Sequence, residues 1–438
     1  MFKDLPSPVA LEEEVLATWK RDAVFHASLE ARRDAPRFVF YEGPPTANGM
    51  PHNGHVLTRA MKDLFPRYKT MRGYRVDRMA GWDTHGLPVE IEVEKTLGVR
   101  SGGEFRNARE AVVAYGLDNF AHRCIESVFT YTHEWEQLTE RIGFWVDTDE
   151  AYVTYHRDYV ESVWWALATL FDRGLLYQGH KCVWWWPEGG TALSSHEVGE
   201  GYRDVDDPSV TVRFAVKDQP NTFILAWTTT PWTLPSNVAL AVGPDLSYAK
   251  VRTADGQILI AAESRAPEGE VLEVVKGSDL VGLRYEPLYD WATPDGRAYE
   301  VLAGEHVTLD AGSGIVHTAP AYGEADFDLG KREGLALIQL VGADGHFPSE
   351  GVPEWVAGAY FKEADKAIMR DLTDRGLMFH RGTIRHAYPF SPRSKDDPLL
   401  QLARPGWFIR TTEFVPEALR NNDAVNWLPG HIKEGRFG

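Results

Sequence analysis

Cysteine is almost missing from this chain. Only Cys124 and Cys182 occur in 438 residues, which excludes a disulfide framework and a four-thiolate zinc site and suits a reducing, cytoplasmic location. Long apolar runs are lacking too. No stretch of about 18 apolar residues occurs, as a membrane-spanning helix requires, and the opening MFKDLPSPVALEEEVLATWK is too acidic and too broken by proline for a secretory signal. No membrane partner is expected. Nor is positive charge in excess: 46 Lys and Arg stand against 64 Asp and Glu, a formal net charge of −18. A nucleic-acid contact therefore needs a local basic patch, because affinity for phosphate backbones depends on cations displacing counterions. Internal repeats and low-complexity tracts are also absent.

What is present is a globular composition, 43% hydrophobic and 12% aromatic, on a length that suggests about three units. The fifteen tryptophans cluster at Trp164 and Trp165, at Trp184 to Trp186, and at Trp227 and Trp232, as expected of core and pocket walls.

Periodicity divides the chain. Residues 9–30 read as helix and RFVFYE (37–42) as a short buried strand. GPPTANGMP (43–51) is turn chemistry, and His52 to Lys69 then carries Val56, Ala60 and Leu64, with Leu57 and Met61, at helical spacing. The pattern repeats in YRVDRMAG (74–81), the turn WDTHG, and a helix that Pro88 can open. Such alternation predicts an α/β fold with a parallel, doubly wound sheet, ligands lying at the carboxyl ends of its strands. Residues 109–178 read as largely helical with a break at RIGFWVDTDEAYVTY (141–155). From about 202 to 385 the texture is β-rich, with short runs such as SVTVRFAV, TFILAWTT and QILIAAE between Gly, Pro and Asp turns. A helix is expected again over 361–377.

Two constellations carry chemistry. In the first, His52-Asn53-Gly54-His55 lies where a loop enters a helix, and a helix N-terminus offers backbone N–H groups and partial positive charge to an anion. Two imidazoles there would donate to phosphate oxygens as charge develops. On the letters alone the pair reads equally as surface residues, and Asp83 as a turn or N-cap aspartate. In the second, the run Thr228, Thr229, Thr230 precedes Pro231, which forbids a regular central strand. Without context, threonines in such a run also suit the exposed face of a sheet, and Glu324, Asp326 and Asp328 are a weak metal pattern.

The surrounding text narrows these readings. YEGPPTANGMPHNGH (41–55) and GWDTHGLPVE (81–90) together resemble class I aminoacyl-tRNA synthetases of the isoleucine, valine and leucine group, with HNGH standing as the HIGH signature. The second string is closer to the isoleucine branch than to the valine branch. AWTTTPWTLPSN (226–237) and GSGIVHTAPAYGEADF (312–327) resemble the editing domain of the same family. The resemblance implies a partial Rossmann-type sheet with a large β-rich inserted editing domain: residues 1–201 as the first half of the catalytic domain, 202–385 as the insert, and 386–438 as a return to the catalytic domain. It implies ATP-dependent activation of isoleucine, with Mg2+ accompanying ATP, transfer to tRNA(Ile), and hydrolysis of mischarged valyl-tRNA. His52 and His55 would act in catalysis and, with Gly54 and Thr46, bind ATP. Gly43, Pro44 and Asp83 would bind the amino acid. Thr228, Thr229, Thr230, Thr233, His317 and Asp326 would form the editing site, with Asp326 holding the substrate ammonium and His317 excluding the larger side chain. A monomer is expected.

Two departures from the family pattern stand out. Relatives place zinc-binding thiols where this chain reads Trp186-Pro187-Glu188-Gly189 and where Ser391 and Ser394 stand, so no structural zinc is expected. No KMSKS loop occurs before the final HIKEGRFG, so the chain is expected to be a fragment with reduced synthetic activity. The alternatives are a tRNA-deacylating hydrolase acting alone, a valine- or leucine-specific relative, or a non-catalytic tRNA-binding piece.

Overall fold

The computed structural model describes residues 7–98, 105, 107–309, 312–394 and 396–437. It divides into two units, one of Met1–Gly103, Glu110–Leu176 and Thr411–Gly438, the other of Glu104–Arg109 and Tyr177–Arg410. Among the described residues no helix is long and apolar enough to cross a membrane.

The first unit is built on a parallel sheet of β1 (Phe40–Tyr41), β2 (Arg78–Trp82) and β3 (Asp147–Val153), in that order. A parallel pair needs a crossover connection, and the helix Asn53–Met71 supplies it between β1 and β2. The strand expected to be buried over 37–42 is a short edge, with Phe40 and Tyr41 paired and an isolated bridge at Arg37, Val39 and Tyr41 exposed and Glu42 alone buried. The break expected near 141–155 contains β3, whose residues Tyr152 and Val153 pair with Gly81 and Trp82. Gly81 is required there, since a Cβ would meet the Tyr152 ring at 2.3 Å. Helix formation over 9–30 is interrupted: Pro8–Arg21 and Val24–Glu30 are separated at Ala23, which takes a left-handed φ of 44°.

The helix Asn53–Met71 runs where its periodicity places it but turns the other way. Leu57, Met61 and Leu64 are exposed, while Arg59, Asp63, Pro66 and Thr70 are buried. Charge can be buried when it is paired, and here it is. Arg59 lies over Trp135 at 4.9 Å and Phe144 at 5.5 Å and donates to Thr139. Asp63 accepts from Arg67 and from Arg78, the latter at 3.3 Å and 2% exposed. Burial lowers the Arg78 guanidinium to about 10. A second reversal concerns Trp164 and Trp165, expected in core or pocket walls. They lie 68% and 72% exposed on the helix Arg157–Asp172.

The second unit begins with β4 (Leu176–Trp186) and β5 (Thr191–Ala192), which form a sheet with a strand at Leu400–Ile409. β6 (Tyr202–Ala215) and β7 (Thr222–Thr228) follow, then β8 (Ala239–Val242), β9 (Ser247–Arg252), β10 (Ile258–Ala262), β11 (Glu270–Lys276), β12 (Glu300–Ala303), β13 (Ile315–Thr318) and β14 (Met378–Pro389). Counted over the described residues, β6 to β14 make one nine-stranded mixed sheet of order β11-β9-β10-β7-β13-β8-β12, with β6 joined to β7 and β14 to β6. Its core is dense: Val210, Val212, Phe214, Leu240, Val242, Tyr248, Phe361 and Leu372 are all fully buried. The helix Phe361–Asp374 packs its apolar face, Phe361, Ala364, Ile368 and Leu372, into this core. Two features position the site that follows. β7 and β13 are neighbours, with Trp227 opposite Val316. Directly after β7, Pro231–Ser236 forms a 3-10 turn rather than a strand, because proline cannot donate to a ladder.

Candidate active and editing sites

In the first unit, His52 is the N-cap of the helix Asn53–Met71. Its Nδ1 accepts the Gly54 N–H at 3.1 Å, while His55 Nδ1 accepts the His52 N–H at 3.0 Å. Both rings thus take backbone protons at Nδ1, which leaves Nε2–H as the donor of each neutral imidazole. The ring centroids are 3.8 Å apart, and His55 lies 4.6 Å from Trp135. Burial, then the neighbouring His52 and Arg59, holds His55 below its usual value. One expectation changes. The N–H of Gly54 is not open to a phosphate but is capped by His52, and a Cβ at Gly54 would strike the His52 ring at 2.9 Å. The Gly54 N–H is therefore already used within the helix cap, and the two imidazole Nε2–H groups are donors this helix end can offer an anion.

The loop after β1 and the turn after β2 meet: Asp83 N donates to Pro45 O at 2.9 Å. Gly43, Pro44, Thr46 and Asp83 consequently share one locale, with Asp83 half-buried and accepting from His85 N at 3.3 Å. Trp135 Nε1 donates to Gly49 O at 2.9 Å and Tyr131 N to Ala47 O at 2.9 Å, tying the loop before the two histidines to the helix Thr132–Arg141. Sequence reasoning overlooked Glu42. It is 4% exposed, pairs with Lys62 at 2.6 Å, and its Oε2 has no hydrogen-bond partner among the described residues. Its place beside Gly43 in YEGPP was the only available signal.

In the second unit all six residues expected at the editing site line one cavity of about 180 Å3, together with Trp227, Val316, Ala319 and Tyr322. The 3-10 turn brings Thr230 and Thr233 together at 3.2 Å, and Thr228 Oγ1 lies 3.2 Å from Thr230 Oγ1. His317, on β13, is 6% exposed and is bound at both ring nitrogens. Asn237 Nδ2 donates to Nδ1 at 3.0 Å, and Asn237 itself is fixed by donating to Ala239 O at 2.8 Å and accepting from Tyr285 Oη at 2.6 Å. With Nδ1 accepting, Nε2 carries the proton and donates to Thr233 Oγ1 at 2.8 Å, and the Thr233 hydroxyl in turn donates to Thr230 O at 2.8 Å. Burial lowers His317 to about 4. The imidazole is thus a neutral wall whose lone pair is already occupied, not a free base.

Asp326 sits in the first turn of the helix Glu324–Glu333. Burial pushes its carboxyl up to about 6, opposed by the Ala319 N–H that donates to Oδ2 at 3.0 Å. Oδ1 accepts no hydrogen bond from the described residues, so the cavity offers one carboxylate oxygen to a cation. Gly312 completes the frame: its φ is +69° and a Cβ would meet the Trp227 ring at 2.5 Å. Asn237 was not singled out in advance, although it ends the threonine string. Its effect depends on a histidine 80 positions away.

The profile of the class I tRNA synthetases (I, L, M and V) matches residues 14–438. The chain belongs to this family. An isoleucine–tRNA ligase of Thermus thermophilus is 49% identical over 450 aligned residues, covering 100% of this chain and 42% of that protein. One of Clostridium acetobutylicum is 46% identical, with the same coverage of each. The chain thus spans about two-fifths of the length of these relatives. A solved structure described as GlLeuRS-CP1 shares 15% identity over 40% of this chain and 99% of its own, at a TM-score of 0.33, too low to bear on the fold.

The family chemistry uses ATP, generally with Mg2+, as a substrate. Among the described residues no group of three or more His, Cys, Asp or Glu is placed to hold a metal ion. At the two thiol-deficient places, Trp186 is 1% exposed and donates from Nε1 to Asp397 Oδ2 at 2.9 Å, a Cβ at Gly189 would strike the Trp186 ring at 2.1 Å, and Ser391 Oγ accepts Arg393 N at 3.3 Å. Cys182 is 4% exposed, and burial raises its thiol to about 12, the state of an inert core residue.

Proposed function

We propose that the protein is an isoleucine-specific tRNA ligase that also hydrolyses its own errors. Residues 1–201 and 386–438 belong to the catalytic domain and 202–385 to an inserted editing domain. The isoleucine carboxylate attacks the α-phosphorus of ATP, pyrophosphate leaves, and a terminal ribose hydroxyl of tRNA(Ile) takes the acyl group from the adenylate as AMP departs. His52 and His55 donate Nε2–H to phosphate oxygens as charge builds there, with Gly54 and Thr46 at the nucleotide. Gly43 and Pro44 wall the amino-acid pocket, and Asp83 pairs with the substrate ammonium, which needs a carboxylate partner beside an apolar pocket. The protein is soluble, cytoplasmic and monomeric in this reading.

The observation that carries the proposal is the convergence of six residues from two distant strings on one small cavity. A hydrophobic pocket separates ligands differing by one methylene by only about 1–3 kcal/mol, a figure established for isoleucine enzymes of this very kind rather than worked out from this cavity. A second, smaller site answers that limit. Valyl-tRNA enters with its ammonium on Asp326, water attacks the ester carbonyl, and valine and tRNA leave. His317, held rigidly by Asn237 and Thr233, shuts out the isoleucyl side chain. The strong similarity to isoleucine–tRNA ligases supports the specificity. Pyrophosphate exchange by the complete natural protein tests it: isoleucine should support exchange better than valine or leucine, and Asp83→Ala should weaken isoleucine use while sparing the KM for ATP. Preference for another branched amino acid would overturn the assignment.

A further inference from the structure

The threonine turn has an anchor outside both strings. Trp232, the second residue of the turn Pro231–Ser236, follows a proline and sits where a helical turn has no internal acceptor for its N–H groups. Thr233 N reaches Thr230 O at 2.9 Å, but Trp232 N is served from elsewhere, donating to Asp365 Oδ1 at 2.8 Å. Asp365 lies 133 positions later on the helix Phe361–Asp374 and is 5% exposed. The same helix grips the Trp232 ring, since Phe361 meets it edge to face at 4.9 Å, and Tyr322, a wall of the cavity, meets it at 4.9 Å from another side. The turn is therefore clamped at its amide and its indole, and Thr230 and Thr233, on either side of the clamp, carry the hydrogen bonds that orient His317.

We propose that Asp365 is a positioning residue for the hydrolytic cavity: its buried carboxyl locks the threonine turn through the Trp232 amide and so fixes Thr230, Thr233 and His317. It touches no substrate. A buried carboxyl is costly unless hydrogen-bonded, and nothing else among the described residues donates to it. Burial, the largest influence, raises the group to about 7, so a neutral acceptor of the same shape suits the position. The inference rests on reading the cavity as a deacylation site.

The test compares wild type, Asp365→Leu and Asp365→Asn. Deacylation of valyl-tRNA and isoleucyl-tRNA is measured with kcat and KM separated, alongside hydrogen exchange across 228–242. Asp365→Leu should lower kcat on valyl-tRNA by on the order of 100-fold, the usual consequence of misplacing reacting groups by about 1 Å, with KM little changed. The Trp232 amide should exchange faster in this variant while β8 stays protected. Asp365→Asn, which keeps an acceptor, should restore kcat to within about threefold of wild type. Wild-type kcat in Asp365→Leu, or an Asp365→Asn as impaired as Asp365→Leu, would overturn the proposal. Should Asp365→Leu fail to fold, wild-type exchange decides: a Trp232 amide protected like β8 supports the clamp, and one exchanging as an open loop refutes it. A wild-type protein inactive on valyl-tRNA would overturn the hydrolytic reading instead, with the exchange of the Trp232 amide still deciding whether Asp365 holds the turn.

Discussion

Replacing Asp326 by asparagine removes charge from the cavity with little change of shape. The asparagine Oδ1 can still accept the Ala319 N–H that now reaches Asp326 Oδ2 at 3.0 Å, so the loop before the helix Glu324–Glu333 keeps its hydrogen bond. What is lost is the negative charge proposed above to pair with the substrate ammonium. Hydrogen bonds to charged groups contribute about 1.5–3 kcal/mol, so deacylation of valyl-tRNA should fall roughly 10- to 150-fold. The pH profile gives a second reading of the same group. Burial raises the Asp326 carboxyl to about 6; at pH 7 about ten molecules in eleven are ionised and at pH 5 about one in eleven. Wild-type deacylation should therefore fall as pH drops through about 6, whereas Asp326→Asn should lack that step. For stability the sign is opposite. A carboxyl whose folded value lies above its unfolded one favours the fold when protonated, so the ionised group costs stability at neutral pH and that cost disappears as pH falls from about 6 toward 4. Asp326→Asn should accordingly melt at pH 7 no lower than wild type. Single-turnover deacylation between pH 5 and pH 8 measures both rate effects. A variant rate within twofold of wild type, or a profile unaltered by the substitution, would refute the role given to this carboxylate.

Two further substitutions probe other parts of the account. His317→Ala takes away the wall held by Asn237 and Thr233, and the variant should begin to hydrolyse isoleucyl-tRNA, seen as release of isoleucine from isoleucyl-tRNA charged beforehand. Asp63→Ala leaves Arg78, 2% exposed, without its carboxylate partner; breaking a buried pair from one side costs about 3–5 kcal/mol, so thermal denaturation should show a clear loss of stability in the first unit.

The strands of the second unit were readable because antiparallel and mixed sheets leave short alternating runs between Gly, Pro and Asp turns, and Pro231 marked its own turn. The helix Asn53–Met71 was readable in extent but not in orientation. Apolar residues at helical spacing ordinarily face the core, yet here Arg59 stacks on Trp135 and Asp63 pairs with Arg67 and Arg78, and those partners come from other segments. β3 escaped notice because Asp147, Thr148, Asp149 and Glu150 open it with polar residues, and only its end, Tyr152 and Val153, looks like a strand. The threonines, histidine and aspartate that line the cavity were singled out by their text, whereas Asn237 and Asp365, which lie behind that lining, were not. An asparagine after a turn and an aspartate within a helix have ordinary local explanations, and both act through partners far away in sequence.

The most direct measurement is deacylation of valyl-tRNA(Ile) and isoleucyl-tRNA(Ile) by the purified protein, side by side under identical conditions. Rapid release of valine with isoleucyl-tRNA left intact is the outcome expected from a cavity of about 180 Å3 bounded by a fixed, neutral His317. Equal hydrolysis of both, or of neither, would contradict it.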